Sequence, residues 1–194
     1  MRPAVLENCG LFGIHADRDC VDELYTGMFK LQHRGQKYCG IATQGADGIR
    51  LTTHKGFVRH TFAPEELRDL AGNSGIAHVS LKERQPLFFD SRLGPFAVAF
   101  SGNIINADTL VEGLKRRGHS FSTGGHIELI GKLIACEDDF VTGLERLGRL
   151  LDDRVDATDR GDVALGALDG RVLPQVGGVA VEPAEVALVH RLRV

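Results

Sequence analysis

The order of hydrophobic patterns predicts an α+β domain built in layers. Strand-like apolar runs fill most of the first hundred residues, helix-period segments occupy the middle, and strand-like runs return at the end. A length of 194 residues with 43% hydrophobic content suits one well-buried domain and is short for two. The 24 glycines have no fixed period, and no repeat or low-complexity tract interrupts the chain, so they mark turns and close backbone approaches. A single domain over residues 9–194 is expected.

The first element is Asn8-Cys9-Gly10-Leu11-Phe12-Gly13-Ile14, which reads as a buried strand with a thiol at its leading end. Asp17 or Asp19 is placed to cap a helix whose Val21, Leu24, Tyr25, Met28 and Leu31 share one face. Arg34 suits that helix's C-terminus by charge, and Gly35 suits it as a left-handed stop. Residues 39–43 and 49–53 then read as strands joined by the turn Ala46-Asp47-Gly48. Pro64 opens a short helix with Glu65 and Glu66 in its first turn. Three apolar strands follow over 75–81, 87–90 and 96–100, and they are expected to build a second sheet.

The last of these runs into Ser101-Gly102-Asn103, a glycine-bearing bend of the kind that lets a backbone N–H approach a ligand. Asn106 caps a helix carrying Leu110, Val111 and Leu114, and Gly118 stops it. Residues 119–122 read as a short strand. The polar turn Ser122-Thr123-Gly124-Gly125-His126 leads into a helix over 127–136, and Phe140, Val141, Leu144, Leu147 and Leu151 mark another, both expected on one sheet face. A charged loop over 154–160, a hairpin of 163–168 with 171–176, and an edge strand within 185–194 complete the chain.

A net charge of −3 without a basic stripe argues against nucleic acid as a partner. No apolar run approaches the ~20 residues needed to span a bilayer, and the N-terminus lacks the apolar core of a signal peptide, so a cytoplasmic protein is expected. Cys9, Cys20, Cys39 and Cys136 form no C-x-x-C pair, which argues against a disulfide framework or a zinc site, and no cofactor or metal is expected. Cys20, Cys39 and Cys136 read as core. His15, His54, His60, His119 and His190 read as surface or packing residues.

Cys9 is the chemical candidate. Alone, a cysteine beside a strand is more often a small buried hydrophobe than a nucleophile. A thiol used for chemistry needs a base, and an N-terminal cysteine carries one as its own α-amine, which titrates at about 7.7 to 8.0. Cys9 has that amine only if residues 1–8 are a leader that is removed.

Cys9-Gly-Leu-Phe-Gly-Ile, Leu31-Gln-His-Arg-Gly-Gln, Cys39-Gly-Ile-Ala-Thr, Gly75-Ile-Ala-His78-Val, Gln85-Pro86, Gly102-Asn103 and Asn106-Ala107, in that order, resemble the glutaminase domain of amidophosphoribosyltransferases. The match runs over roughly residues 8–150. It implies a class II glutamine amidotransferase domain with the N-terminal-nucleophile hydrolase fold, a four-layer α/β/β/α sandwich of two antiparallel sheets between helices. It also implies glutamine or a related small amide as ligand, a transferase of purine biosynthesis as context, and a synthase or transferase subunit as partner. The phosphoribosyltransferase domain that follows in that family is expected to be absent. By resemblance, Cys9 is the nucleophile that forms a thioester, Arg34 and Gly35 shape the site, Gly102 donates to the oxyanion, and His78 and Asn103 match the family pattern.

Three positions depart from that pattern. Ser80 stands where the family has the arginine that holds the α-carboxylate of glutamine. Ser101 replaces the asparagine that helps bind the oxyanion. His126 stands where an aspartate holds the α-amino group. Lys82 or Arg84 is the nearest substitute for the missing cation. The resulting expectation is a glutaminase impaired or inactive on free glutamine. The alternatives are a non-catalytic binding or regulatory homologue, an amide hydrolase with a different substrate, and one subunit of a split amidotransferase.

Overall fold

The computed structural model describes residues 9–102, 104, 106–152, 163–169 and 187–192, with the side chains of 9–102, 104 and 106–147. The expected leader, Asn103, the loop 154–160 and the return strand 171–176 lie outside the described residues.

Two four-stranded antiparallel sheets form the middle of the molecule. The first holds β1 (Gly10–His15), β2 (Tyr38–Gly45), β3 (Gly48–Lys55) and β4 (Ser74–Ser80) in the order β1-β4-β2-β3. The second holds β5 (Leu87–Ser91), β6 (Gly94–Ser101), β7 (Val163–Asp169) and β8 (Ala187–Leu192) in sequence order, with β8 on the expected edge.

Period-two alternation sorts the side chains into layers. On the outer face of the first sheet, Cys39, Ile41, Ala77 and Val79 pack under α1 (Val21–Lys30) through Cys20, Val21, Leu24 and Met28. Between the sheets lie the small residues Ala42, Ala97 and Ala99 with Ile76. Beyond the second sheet, Phe96, Val98 and Phe100 meet Leu114 of α4 (Ala107–Arg116), Ile127, Ile130 and Ile134 of α5 (His126–Ala135), and Phe140 and Leu147 of α6 (Phe140–Asp152). The result is the four-layer α/β/β/α sandwich. Among the described residues no helix is long and apolar enough to cross a membrane.

Three local expectations are corrected. The strand expected over 75–81 does not join the second sheet; β4 lies between β1 and β2. Every residue of β4 is buried, so it needs a strand on each side and a layer on each face, and the interior of the first sheet supplies both. Gly35 is not a left-handed stop: its backbone is extended, with φ −157° and ψ 121°. A glycine is needed there because a Cβ would sit 2.4 Å from the backbone nitrogen of Ser80. Residues 119–122 are not a strand, because the backbone N–H of Ser122 is taken by the Glu128 carboxylate.

Elsewhere, Asp19 Oδ1 does accept from Val21 N–H, although Cys20 is the first boundary residue of α1. Asn106 occupies the N-cap of α4 without a side-chain cap bond, and Gly118 ends that helix with φ +90°. The pattern missed a 3₁₀ turn at Gln32–Arg34 and the one-turn helix α2 (Val58–Thr61). It did find α3 (Pro64–Asp69) with proline at its start.

Candidate active site

Antiparallel register brings the site together. Gly10 of β1 faces Val79 of β4, so one residue earlier Cys9 stands beside Ser80, and directly opposed residues point to the same face. That face looks toward the second sheet, because Leu11 and Ile76 on the same rows belong to the inter-sheet layer. Cys9, half-buried, and Ser80 therefore stand at one end of the sandwich, at the floor of a cleft of about 380 Å³.

One wall of the cleft is the loop after β4. Ser80 Oγ accepts the backbone N–H groups of Lys82 (3.0 Å) and Glu83 (3.2 Å), which folds the chain back over the strand end. Lys82, Glu83 and Gln85 consequently line the cleft. Gln85 is only 2% exposed and ties the loop to the second sheet. Its Oε1 accepts the Phe100 N–H at 2.6 Å, and its Nε2 donates to Glu83 Oε1 at 3.0 Å. Gly40 of β2 makes room for this loop, since a Cβ there would lie 2.2 Å from the Gln85 carbonyl oxygen.

The opposite wall combines Phe100 and Gly102 at the end of β6 with the Thr123–His126 turn. Gly102 has φ +149°, a conformation that favours glycine. Glu128, 5% exposed, fastens the turn by accepting from the Ser122 N–H, the Thr123 N–H and the Thr123 hydroxyl, with Lys132 Nζ at 3.5 Å. Burial alone would raise this carboxyl. The hydrogen bonds and Lys132 outweigh burial and hold it below its ordinary 4.5. Its stabilising contribution is therefore full above pH 4.5 and is lost as pH falls through the lower native value. Glu128→Ala is expected to cost about 2 kcal/mol, at the low end for several charged bonds because water reaches the exposed turn. Urea denaturation at pH 7 measures it, and an unchanged midpoint would contradict the role.

His126 opens α5, and its Nδ1 accepts the Ile104 N–H at 3.4 Å, which leaves the ring proton on Nε2. His78 lies one layer beneath the cleft floor, 1% exposed and flanked by Leu11 and Gly40. Burial pushes its pKa down to about 4; the Phe100 backbone opposes the shift, but neither ring nitrogen makes a hydrogen bond of normal geometry.

Of the residues singled out from the sequence, Cys9, Ser80, Gly102 and His126 line the cleft together. Ser101 is half-buried at the end of β6 but does not line it. Gly35 is buried against Ser80, His78 is the support below, Arg34 is exposed outside the cleft, and Asn103 lies outside the described residues. Lys82, read as a stand-in cation, lines the cleft, whereas Arg84 is exposed and does not. Sequence reasoning gave no site role to Glu83, Gln85, Thr123, Gly124 or Gly125. Two signals were available: the glycine pair just ahead of a helix, which read only as a turn, and the Gln85-Pro86 motif, which carried a resemblance but no role.

Comparison with known proteins agrees with this arrangement. The chain is 34% identical over 139 residues to the amidophosphoribosyltransferase of Methanocaldococcus jannaschii, covering 66% of this chain and 30% of that protein. It is 36% identical over 143 residues to that of Synechocystis sp., covering 69% and 29%. The chain thus spans about three tenths of the length of the curated relatives it matches. A solved structure of glutamine phosphoribosylpyrophosphate amidotransferase from B. subtilis, complexed with ADP and GMP, superposes with a TM-score of 0.69 at 28% identity, over 81% of this chain and 34% of that one. No family model matches the chain. Fold, order of motifs and these likenesses converge: the chain has the N-terminal-nucleophile hydrolase fold and resembles the glutaminase domain of amidophosphoribosyltransferase, a class II glutamine amidotransferase domain.

Proposed function

We propose that this domain is an amidotransferase-type amide hydrolase with Cys9 as its nucleophile, impaired on free glutamine because its pocket has been rebuilt. In this reading Cys9 Sγ attacks the carbon of a side-chain carboxamide, and the Gly102 backbone N–H stabilises the oxyanion. The C–N bond breaks, ammonia leaves with a proton, and water hydrolyses the thioester to a carboxylate. Removal of residues 1–8 would make the Cys9 α-amine the base.

The observation that carries the reading is the half-buried Cys9 thiol at the floor of the cleft beside Gly102. The impairment rests on the partners of the substituted side chains. Ser80 Oγ accepts two backbone N–H groups of its own loop, and His126 receives a backbone N–H where the resemblance places an acid. Each lost charged contact is worth about 1.5 to 3 kcal/mol, so losing two weakens glutamine binding by roughly 10² to 10⁴. Loss of one oxyanion donor lowers turnover by a further factor of about 10² to 10³. The same engagement of Ser80 and His126 favours a second reading, a non-catalytic domain that binds and regulates a transferase subunit.

Intact mass and ammonia release separate the two. The wild type is expected to begin at Cys9 and to release ammonia from glutamine slowly, and Cys9→Ala to keep its leader and release none. A wild type that keeps residues 1–8 and releases no ammonia from any amide would overturn the hydrolase and leave the binding domain.

A further inference from the structure

Lysines and arginines that lie scattered along the sequence are gathered by the fold at one end of the first sheet. No aspartate or glutamate occurs between Glu23 and Asp47, or between Asp47 and Glu65. The elements cut from these two stretches meet at a single junction. Gln32, in the 3₁₀ turn after α1, donates through Nε2 to the Gly35 carbonyl and accepts the Val58 N–H through Oε1, which staples the turn to α2. The Gly56 N–H donates to the Lys37 carbonyl at 2.9 Å, and Tyr38 pairs with Lys55 across β2 and β3. Lys30, Arg34, Lys37, Lys55 and Arg59 stand around this junction, all exposed, and none makes an ion pair among the described residues. Elsewhere exposed arginines are matched, Arg18 with Glu23, Arg50 with Asp47, Arg68 with Glu65 and Arg116 with Glu112. A group of unmatched cations repels itself, and an anionic partner relieves that repulsion. Two aromatic rings belong to the same junction: Phe29, beside Lys30 in the last turn of α1, is 47% exposed, and Phe57, between Lys55 and Arg59, is 41% exposed. The Lys37 N–H donates to the Ser80 carbonyl at 3.0 Å, so this face borders the strand end that floors the cleft.

We propose that this face docks a protein partner through an acidic segment that also carries apolar side chains. The carboxylates of that segment meet the unmatched cations, and its apolar side chains cover Phe29 and Phe57. Aromatic rings and arginine are the side chains that protein interfaces concentrate, and here both occur on backbone that the Gln32 staple holds in place. Each ring is already more than half covered by its own domain, which leaves little of it to sink into a bilayer, whereas a protein surface needs only to cover what remains. The inference stands apart from the chemistry of Cys9 and holds under either reading of the cleft.

The test uses the full chain and a short fluorescent peptide rich in glutamate, with leucine at every fourth position, beside the same peptide with glutamine in place of each glutamate. Fluorescence anisotropy is expected to show the acidic peptide binding about tenfold or more tighter than its glutamine counterpart, and weakening as salt is raised. Lys37→Glu combined with Arg59→Glu is expected to cost about tenfold in affinity. Lys115→Glu combined with Arg117→Glu makes the same change in net charge at exposed positions around the end of α4, and should leave the affinity within about twofold. Phe29→Ser combined with Phe57→Ser should also cost about tenfold. Thermal melts check that each variant is folded, and the salt and glutamine-peptide comparisons need no variant. No binding of the acidic peptide, equal binding of the glutamine peptide, equal losses in the two charge variants, or an affinity unmoved by the serine pair would overturn the proposal. So would tighter binding to phosphatidylserine vesicles or to oligothymidylate than to the peptide, which would give the face to a membrane or to a nucleic acid.

Discussion

Gly35→Ala is expected to destabilise the fold by about 3 kcal/mol, the upper end for overpacking. The extended backbone of Gly35 accepts alanine without strain, so the cost is purely one of space. The new methyl would lie 2.4 Å from Ser80 N, 2.5 Å from Val79 C and 2.7 Å from Val79 O. These are backbone atoms of β4, paired on both sides with β1 and β2, so they move only if two ladders move. Because Cys9 stands beside Ser80, the same change should alter the rate at which Cys9 is alkylated by iodoacetamide. Thermal melts of the two proteins decide the matter: coincident transitions would show that the 3₁₀ turn yields and the contact carries no weight. Gly48→Ala is the contrasting control. Its φ of +109° resists a side chain, but a Cβ there meets nothing, so its cost should be about 1 kcal/mol.

Acid should weaken the fold through His78 before it reaches the carboxylates. An unfolded chain protonates this ring near 6.5, whereas the native pocket holds it to about 4. As pH falls through that window the unfolded state binds a proton the native state refuses, so stability drops. The full loss is about 3 kcal/mol at pH 4, and none of it is felt above pH 6.5. Replacing the ring by an apolar one of similar size, His78→Phe, should flatten stability between pH 7 and pH 4. If urea midpoints of the wild type stay level across that range, or if the variant keeps the wild-type slope, His78 is not the group responsible.

Much of this architecture was legible because it is local. The β2–β3 hairpin announced itself through a turn at Asp47-Gly48 between two strand-like runs, and α3 through proline followed by acid. The placement of β4 was not legible. A run such as Gly-Ile-Ala-His-Val says that both faces are buried, but it does not name the strands on either side. Gly35 shows the same limit: a glycine after a helical segment fits a left-handed stop, and only the approach of Ser80 from 45 positions away reveals its actual purpose. Within the cleft, the sequence singled out residues by their resemblance to a known pattern. It was silent on Glu83 and marked Gln85 only as part of the Gln85-Pro86 motif, because the role of Gln85 as a tie depends on the distant Phe100 N–H. His78 matched the family pattern and Ser80 stood at the position of its carboxylate-holding arginine; only the structure shows His78 buried beneath the cleft floor and Ser80 Oγ accepting N–H groups of its own loop.

The order of strands in the first sheet also governs when the thiol can be in place. β2 and β3 are joined by a two-residue turn and pair with almost no loop to close, whereas β1 must wait for β4, with His15 and Ser74 separated by 59 positions. Closing a loop that long costs entropy before any pairing repays it, so such contacts form late and slowly. During synthesis β1 thus stays without its partner until β4 has emerged. A nascent chain shorter than that carries Cys9 on an unpaired segment, far from the groups that would aim it, and arrest or truncation before β4 yields a thiol with no cleft around it.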